Sequence, residues 1–330
     1  MISGVLIILG LALILMATVY FTNGVEWLGY ALKWNAAATG SILAAVGTAA
    51  PELIIPLVAI FFGKGSGHVS VGIGAILGSP LMLASLGVFI TGMTAAYFAP
   101  RRSASTVLLS PSLQGDLRFF LGAWGATILS TWLGLLVHKI LAIILVLAYG
   151  WHALKRVRSS HVSGDELVDP PGSALRLFPH KSPTFVRIFV QVALGLGLLI
   201  AGARLFVDGV THLALLWRIP AFVLAVFITP LATEFPEVIN SIVWVRTQQD
   251  DLATGNVIGA LVIQASLGSA IGLAFTAFQV VGGERLIAVL GWAAAAWVYL
   301  LTRKGRIGLW TTAGSGVLYA IFIGLLVTVG

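Results

Sequence analysis

The chain has 330 residues, of which 58% are hydrophobic and only 9% are charged. A soluble domain carries about 25% charged residues, so this composition excludes a soluble protein and indicates one that crosses a membrane many times. The formal net charge of +7 is better explained by orientation in the membrane than by nucleic-acid binding. There are no cysteines, which excludes disulfides and thiolate metal sites.

Ten transmembrane helices are predicted, because a span needs about 20 mainly apolar residues. They are expected at about 2–22, 36–62, 69–97, 119–136, 138–153, 185–213, 219–246, 252–279, 284–302 and 307–329. The first of them has no basic residues before its apolar run. We therefore interpret it as an uncleaved span and not as a signal peptide.

A polar segment divides the ten spans into two groups of five. The predicted domains are residues 1–153, a linker at 154–184, and residues 185–330. Because five is an odd number, the second group enters the bilayer from the opposite side, which is an inverted-topology repeat. With the N-terminus outside, fourteen Lys and Arg residues lie in connections on the linker side and four on the other side. Basic residues accumulate in cytoplasmic connections, so we expect a cytoplasmic linker and both termini outside, in a prokaryotic plasma membrane.

Spans two and seven carry the same three polar or helix-breaking residues. These are Thr48, Pro51 and Glu52 in the first copy, and Thr233, Pro236 and Glu237 in the second, an offset of 185 residues. A proline inside a helix leaves the carbonyl four residues earlier without a partner, which predicts broken helices with free carbonyls at Gly47 and Ala232. The Thr and Glu of each copy are four residues apart and share a helix face. Hydroxyl, carbonyl and carboxylate oxygens are the ligands that hard cations such as Na⁺ and Ca²⁺ prefer.

The acidic residues are the strongest indication of function. A carboxylate at the centre of a membrane helix costs about 2.5–3.5 kcal/mol on insertion scales. Two of them at matched positions of a repeat indicate a transport site between the copies more than a packing role.

The span after each glutamate also repeats. GIGAILGSPLMLASLG (72–87) aligns with GNVIGALVIQASLG (255–268). Glycines four residues apart let membrane helices approach closely, so helix packing is their default interpretation. Asn256 and Gln264 add polar side chains to the second copy only.

The paired pattern, a Gly-Thr-Ser-x-Pro-Glu box followed by Gly-Asn-x-x-Gly-Ser-Asn, resembles the alpha repeats of the cation/Ca²⁺ exchanger superfamily, which includes the sodium/calcium exchangers. The similarity covers roughly 20–90 and 205–275. In that family the two box glutamates are the central ion ligands, which implies Glu52 and Glu237 here. The complete set of expected cation ligands is Glu52, Glu237, Thr48, Thr233, Glu234, Asn256, Ser79 and the carbonyls of Gly47 and Ala232.

The chain departs from the family pattern at several positions. The Ser of the box is Ala49 in the first copy and Glu234 in the second. The later Asn or Asp of the family falls on Pro80 and Leu261, which have no side-chain oxygen. Ca²⁺ as the substrate therefore does not follow from the resemblance.

Glu234 adds a third acid to the two box glutamates. It lies three residues before Glu237, so the two carboxylates are expected on nearly the same helix face. Like charges in a low-dielectric site favour sharing of one proton, which would leave as the cation enters.

The predicted fold class is an all-α membrane protein with broken helices at the midplane. The predicted function is a secondary cation antiporter of the sodium/calcium exchanger type, working by alternating access, with Ca²⁺, Na⁺ or H⁺ as transported ions and no cofactor. A monovalent cation/proton antiporter on the same fold is the main alternative, favoured by Glu234 and the missing later ligands. A channel is a further alternative, and the oligomeric state is left open.

An intramembrane hydrolase is a remote alternative. It would need a second catalytic group, commonly His, beside its carboxylate. All six histidines fall in predicted connections or at span ends. The chain is therefore not expected to be an enzyme.

Overall fold

The computed structural model describes residues 2–32, 49–102, 104–160 and 173–329, and these are almost entirely helical. Before the linker lie α1 (Ile2–Ala31), α2 (Ala50–Phe61), α3 (Ser66–Met82), α4 (Val88–Tyr97), β1 (Val107–Leu108), α5 (Pro111–Ser130) and α6 (Leu135–Ser160). After it lie α7 (Phe185–Trp217), α8 (Ala221–Thr233), α9 (Phe235–Arg246), α10 (Asp250–Ile263), α11 (Ser269–Phe275), α12 (Gly282–Leu301), β2 (Arg306–Ile307) and α13 (Leu309–Val329).

Seven helical segments among the described residues are long and apolar enough to cross a membrane. They are Ile2–Ala31, Ser66–Tyr97, Leu135–Arg156, Phe185–Trp217, Asp250–Phe275, Gly282–Leu301 and Leu309–Leu326. The bent pair of α8 and α9 makes an eighth if it is counted as one span. The short helix α2 and helix α5 do not meet the same standard. The protein is thus an all-helical, multi-pass membrane protein, and the count of ten spans stays a prediction.

Predicted boundaries are wrong at three helices, and one of them, α6, was expected at 138–153 but runs from Leu135 to Ser160, into the predicted linker at 154–184. Helix α1 was expected to end at residue 22 but continues to Ala31, because the buried Asn23 finds hydrogen-bond partners. The fourth span was expected at 119–136, but α5 runs from Pro111 to Ser130. It includes Asp116, which is buried and accepts a hydrogen bond of 2.8 Å from the His152 ring. In α1 and α5 the sequence predicts a boundary close to a polar residue, Asn23 or Asp116, but tertiary contacts keep that residue inside the helix.

Helices α1 and α7 form a closely packed antiparallel pair. A Cβ on Gly10 would lie 2.6 Å from the backbone nitrogen of Phe206, and one on Gly195 would lie 2.9 Å from the Cα of Phe21. The first half of α1 contacts the second half of α7, and the second half of α1 contacts the first half of α7. Small residues allow this approach of two backbones in lipid.

Helix α3 packs just as closely on α8, through the glycines of the first repeat copy. A Cβ on Gly78 would lie 2.4 Å from the carbonyl oxygen of Val226, and one on Gly74 would lie 2.9 Å from Ala225 Cβ. The packing interpretation is confirmed for these two glycines. In the second copy, a Cβ on Gly255 or Gly259 would meet no atom of the described residues within 4 Å outside its own helix, so their packing role stays a prediction.

Two π-helical turns lie at matched positions of the repeat. One covers Leu83–Gly87, directly after α3, and the other covers Gln264–Gly268, directly after α10. In both, a serine donates to the carbonyl four residues earlier, Ser85 to Leu81 and Ser266 to Val262. A π-turn inserts one residue into a helix and often marks a functional site. The two sequence copies therefore share this backbone feature.

The connections at one end of the bundle are held together by a short strand pair and a buried ion pair. Strand β1 pairs antiparallel with β2, with Val107 opposite Ile307. The Arg102 guanidinium donates to both carboxylate oxygens of Asp250, at 2.8 and 2.9 Å, and both side chains are buried. A bidentate pair of this kind fixes the geometry of the two connections that it joins.

A candidate cation site between two helix breaks

Three glutamates from two distant parts of the chain meet in the interior. Glu52 lies in the first turn of α2, Glu237 in the first turn of α9, and Glu234 at the junction of α8 and α9. A carboxylate oxygen of each lies within 4.8 Å of the other two. Their relative exposures are 7% for Glu52, 0% for Glu234 and 5% for Glu237. This spacing allows one cation to contact all three carboxylates.

The two prolines place their glutamates by starting helices. Pro51 and Pro236 each occupy one of the first two positions of a helix, where the missing N–H costs nothing. The acid that follows then sits in the first turn, where the helix dipole favours negative charge.

The second box does not lie on one continuous helix, although the spacing of Thr233 and Glu237 predicted a common helix face. Helix α8 ends at Thr233, and α9 continues at an angle of 41° to it. Thr233 and Glu237 still line a common cavity. The side chains of Thr233 and Glu237 therefore face one cavity even though the helix breaks between them.

Glu234 carries most of the hydrogen bonds in the cluster. Its Oε1 accepts a bond of 3.0 Å from the Gln264 side-chain amide and one of 3.4 Å from the Thr233 hydroxyl. The Ser79 hydroxyl also interacts with this carboxyl group. Glu234 is therefore held in place by side chains from three separate segments.

Four carboxylate oxygens of the cluster accept no hydrogen bond of normal geometry from the described residues, although the Glu52 carboxyl group also interacts with Glu234 and Gln264. They are both oxygens of Glu52, Oε2 of Glu234 and Oε2 of Glu237. Burial of an unpaired carboxylate costs several kcal/mol, so such groups must hold a proton or a cation. The arrangement is suited to exchanging one for the other.

Asn256 supports the site through the backbone. Its amide nitrogen donates to the Glu237 carbonyl at 3.0 Å, and the Ser241 hydroxyl donates to the same oxygen at 2.9 Å. These two bonds fix the first turn of α9 and, with it, the direction of the Glu237 side chain.

Gln264 belongs to the cluster but is absent from the predicted ligand set. The sequence marked it only as an added polar residue of the second copy. The π-turn that begins at this residue and its bond to Glu234 place it there, and its own Oε1 has no partner. Thr48 and Gly47 lie outside the described residues, so their predicted roles stay predictions.

A cavity of about 440 Å³ leads to the cluster. It is lined by Ile14, Leu15, Thr18, Val19, Thr22, Asn23, Glu26, Pro51, Ser173, Arg176, Ala232, Thr233, Pro236, Glu237 and Asn240. Glu237 is the member of the acidic cluster that lines it, together with Ala232, whose carbonyl was a predicted ligand. Ser173 and Arg176 of the linker line it as well. The cavity thus connects the linker side of the protein with the candidate site.

Comparison with known proteins identifies the family. The family model described as "Sodium/calcium exchanger protein" matches residues 2–154 and 187–328. The chain belongs to this family of cation antiporters. It is a transporter and not an enzyme, and the resemblance inferred from the two boxes is confirmed.

Curated relatives are distant but cover most of the chain. A putative antiporter, CaxA, from Alkalimonas amylolytica is 24% identical over 264 residues, 79% of this chain and 76% of the relative. An uncharacterized membrane protein of Methanocaldococcus jannaschii is 23% identical over 96% of this chain and 94% of its own length. The inner membrane protein YrbG of Escherichia coli is 22% identical over 67% of this chain and 64% of its own length.

Two kinds of solved structure share the fold. The structure described as H⁺/Ca²⁺ exchanger CAX has a TM-score of 0.76 at 17% identity, covering 98% of this chain and 82% of its own. The sodium-calcium exchanger NCX_Mj has a TM-score of 0.59 at 21% identity, covering 98% of this chain and 99% of its own. Both support the exchanger fold for the whole chain.

Proposed function

We propose that the protein is an alternating-access antiporter that binds its cation between Glu52, Glu234 and Glu237. The observation that carries this proposal is the cluster itself. Three buried carboxylates lie within 4.8 Å of one another with four oxygens unpaired among the described residues. An empty cluster of ionised acids would be strongly destabilised, so protons or metal cations must neutralise it, and we infer that the two alternate.

The third carboxylate favours proton-coupled exchange. Three ionised acids carry a charge of −3, and one retained proton leaves −2, which matches a divalent cation. The similar fold of the H⁺/Ca²⁺ exchanger CAX makes Ca²⁺ the first candidate. A monovalent cation such as Na⁺ is the second candidate, because Pro80 and Leu261 provide no side-chain oxygen.

The proposed architecture is ten spans in two inverted five-helix units, residues 1–153 and 185–330, joined by the linker 154–184. The antiparallel pairing of α1 with α7 supports it, since each is the first helix of its unit. The matched π-turns support it as well. Inverted units place their broken helices face to face near the bilayer midplane, where such transporters bind their substrate.

Flux measurements test the function directly. In proteoliposomes, we expect an imposed proton gradient to drive Ca²⁺ or Na⁺ across the membrane in the direction opposite to the protons, and a pH-sensitive dye to record the proton movement. Protein-free liposomes are the control. Cation uptake without any proton movement would contradict proton coupling, and the absence of uptake of both cations would contradict the proposed function.

A topology experiment tests the orientation. The native chain has no cysteine, so Ser163→Cys introduces a single thiol into the linker. In intact cells it is expected to resist a membrane-impermeant thiol reagent and to react after the membrane is opened. Labelling of Ser163→Cys from outside would reverse the proposed orientation and the basic-residue reasoning behind it.

A further inference from the structure

The described part of the linker next to α7 forms a strap, residues 173–181, that ties α1 to α7. The Asn23 side-chain amide donates to the Ser173 hydroxyl at 3.0 Å, and the Trp27 ring nitrogen donates to the Ser173 carbonyl at 3.1 Å. The Gln191 amide donates to the Asn23 side-chain oxygen at 2.9 Å. Polar side chains inside two membrane helices are thus used to anchor this segment.

Apolar packing and a backbone bond fix the strap further. Leu175 is 1% exposed and packs in a small cluster with Trp27 and Ile188. The backbone N–H of Arg176 donates to the Asn23 side-chain oxygen at 3.0 Å. The Arg176 guanidinium therefore extends from a fixed point and not from a free loop.

This anchoring places a positive charge in the path of a cation. Arg176 and Glu26 line the same cavity, and Glu237 lines it as well. Glu26 is half-buried, and Arg176 is the charged group that acts on its carboxylate. Glu26, Arg176 and Glu237 therefore share one cavity, which a cation arriving from the linker side would enter.

We propose that Glu26 is an entry site for cations on the linker side, and that the guanidinium of Arg176 competes with the arriving cation for it. This inference rests on the proposed transport function and adds a control of access to it. Arg176 acts as a tethered cation: while it faces Glu26, it neutralises the carboxylate that attracts ions into the cavity. Narrow, low-dielectric clefts focus such fields, so one charge at the mouth changes the local cation concentration.

Thiol labelling in the cavity tests the inference without relying on transport. Asn240→Cys puts a single thiol on the cavity wall, and its labelling rates by a cationic and an anionic methanethiosulfonate reagent are compared in detergent. Adding Arg176→Gln is expected to speed the cationic reagent about fivefold and to slow the anionic one, because the removed unit charge repels cations and attracts anions inside the cavity. Adding Glu26→Gln should slow the cationic reagent by a similar factor. Lys181→Gln, which removes an equally exposed charge of the strap outside the cavity lining, should change neither rate.

Flux supplies the second measurement. With Ca²⁺ presented on the linker side, Arg176→Gln should lower the apparent KM and Glu26→Gln should raise it, both with little change in maximal rate. Arg176→Lys, which keeps the charge, should stay near the unmodified protein in both assays.

Two results would overturn the inference. One is that neither labelling rate changes in Arg176→Gln. The other is equal acceleration of both reagents, which indicates a loosened strap and not a removed charge. If the unmodified protein moves no Ca²⁺ or Na⁺, the proposed function fails, and the labelling rates still decide whether Glu26 attracts cations.

Discussion

Cation exchange is expected to be lost in both Glu52→Gln and Glu237→Gln. Each change keeps the shape of the side chain and one oxygen but removes a charge that offsets a dehydrated cation. Removing one partner of a buried charged contact costs about 2–5 kcal/mol, which corresponds to a fall in affinity of about thirtyfold or more. Flux in proteoliposomes and cation binding to purified protein measure the effect.

A matched control separates loss of the site from loss of the fold. Glu284→Gln changes the same residue type near the start of α12, where the Glu284 carboxylate accepts a bond from the Val281 N–H at 3.3 Å. Glutamine can accept the same bond, so exchange should be unchanged. All three variants should elute as folded protein on size exclusion. Near-normal flux in either site variant would exclude this pair of carboxylates as the cation site.

Proton release on cation binding is expected to depend on Glu234. Its carboxylate is fully buried within 4.8 Å of the carboxylates of Glu52 and Glu237, and three ionised acids at this spacing repel strongly. At least one proton is therefore held by the cluster, as a property of the group and not of one residue. An entering cation replaces the proton, and a pH dye in weakly buffered solution records its release.

The variant Glu234→Ser should reduce that release and move the pH optimum of transport downward. The downward direction follows because removal of a neighbouring negative charge lets Glu237 stay ionised at lower pH. Glu234→Gln is the matched variant, since it can keep a side-chain contact with Gln264 while it removes the titrating group. Both variants should shift in the same direction. An unchanged proton release and an unchanged pH profile in both would show that Glu234 takes no part in proton coupling.

Local chemistry explains why the two boxes could be recognised without a structure. Pro51 and Pro236 restrict the backbone wherever the chain places them, and an acid just after each proline is unusual in an apolar segment. The same residues at the same spacing in two places indicated an exchanger, and the family match confirms this. The packing of Gly74 and Gly78 was likewise predictable, because small residues have few other uses at such spacing.

Long-range contacts decided the rest. The sequence identifies Glu234 as an acid near Glu237, but only the folded chain brings both within 4.8 Å of Glu52. Gln264 joins them because a π-turn begins there, and a local apolar pattern does not encode that insertion.

The linker likewise has features that the sequence predicts and features that only the folded chain decides. By composition it is a polar connection, and its length and charge predict a break between two units. Residues 173–181 bind Asn23 and Gln191, and they bring Arg176 into the cavity. These contacts arise because side chains from two membrane helices meet there. The sequence by itself determined which residues carry the charge and where the helices must break, because proline geometry and the cost of buried charge are local. Which of those charges face one another was decided only by the tertiary structure, because that depends on how distant helices pack.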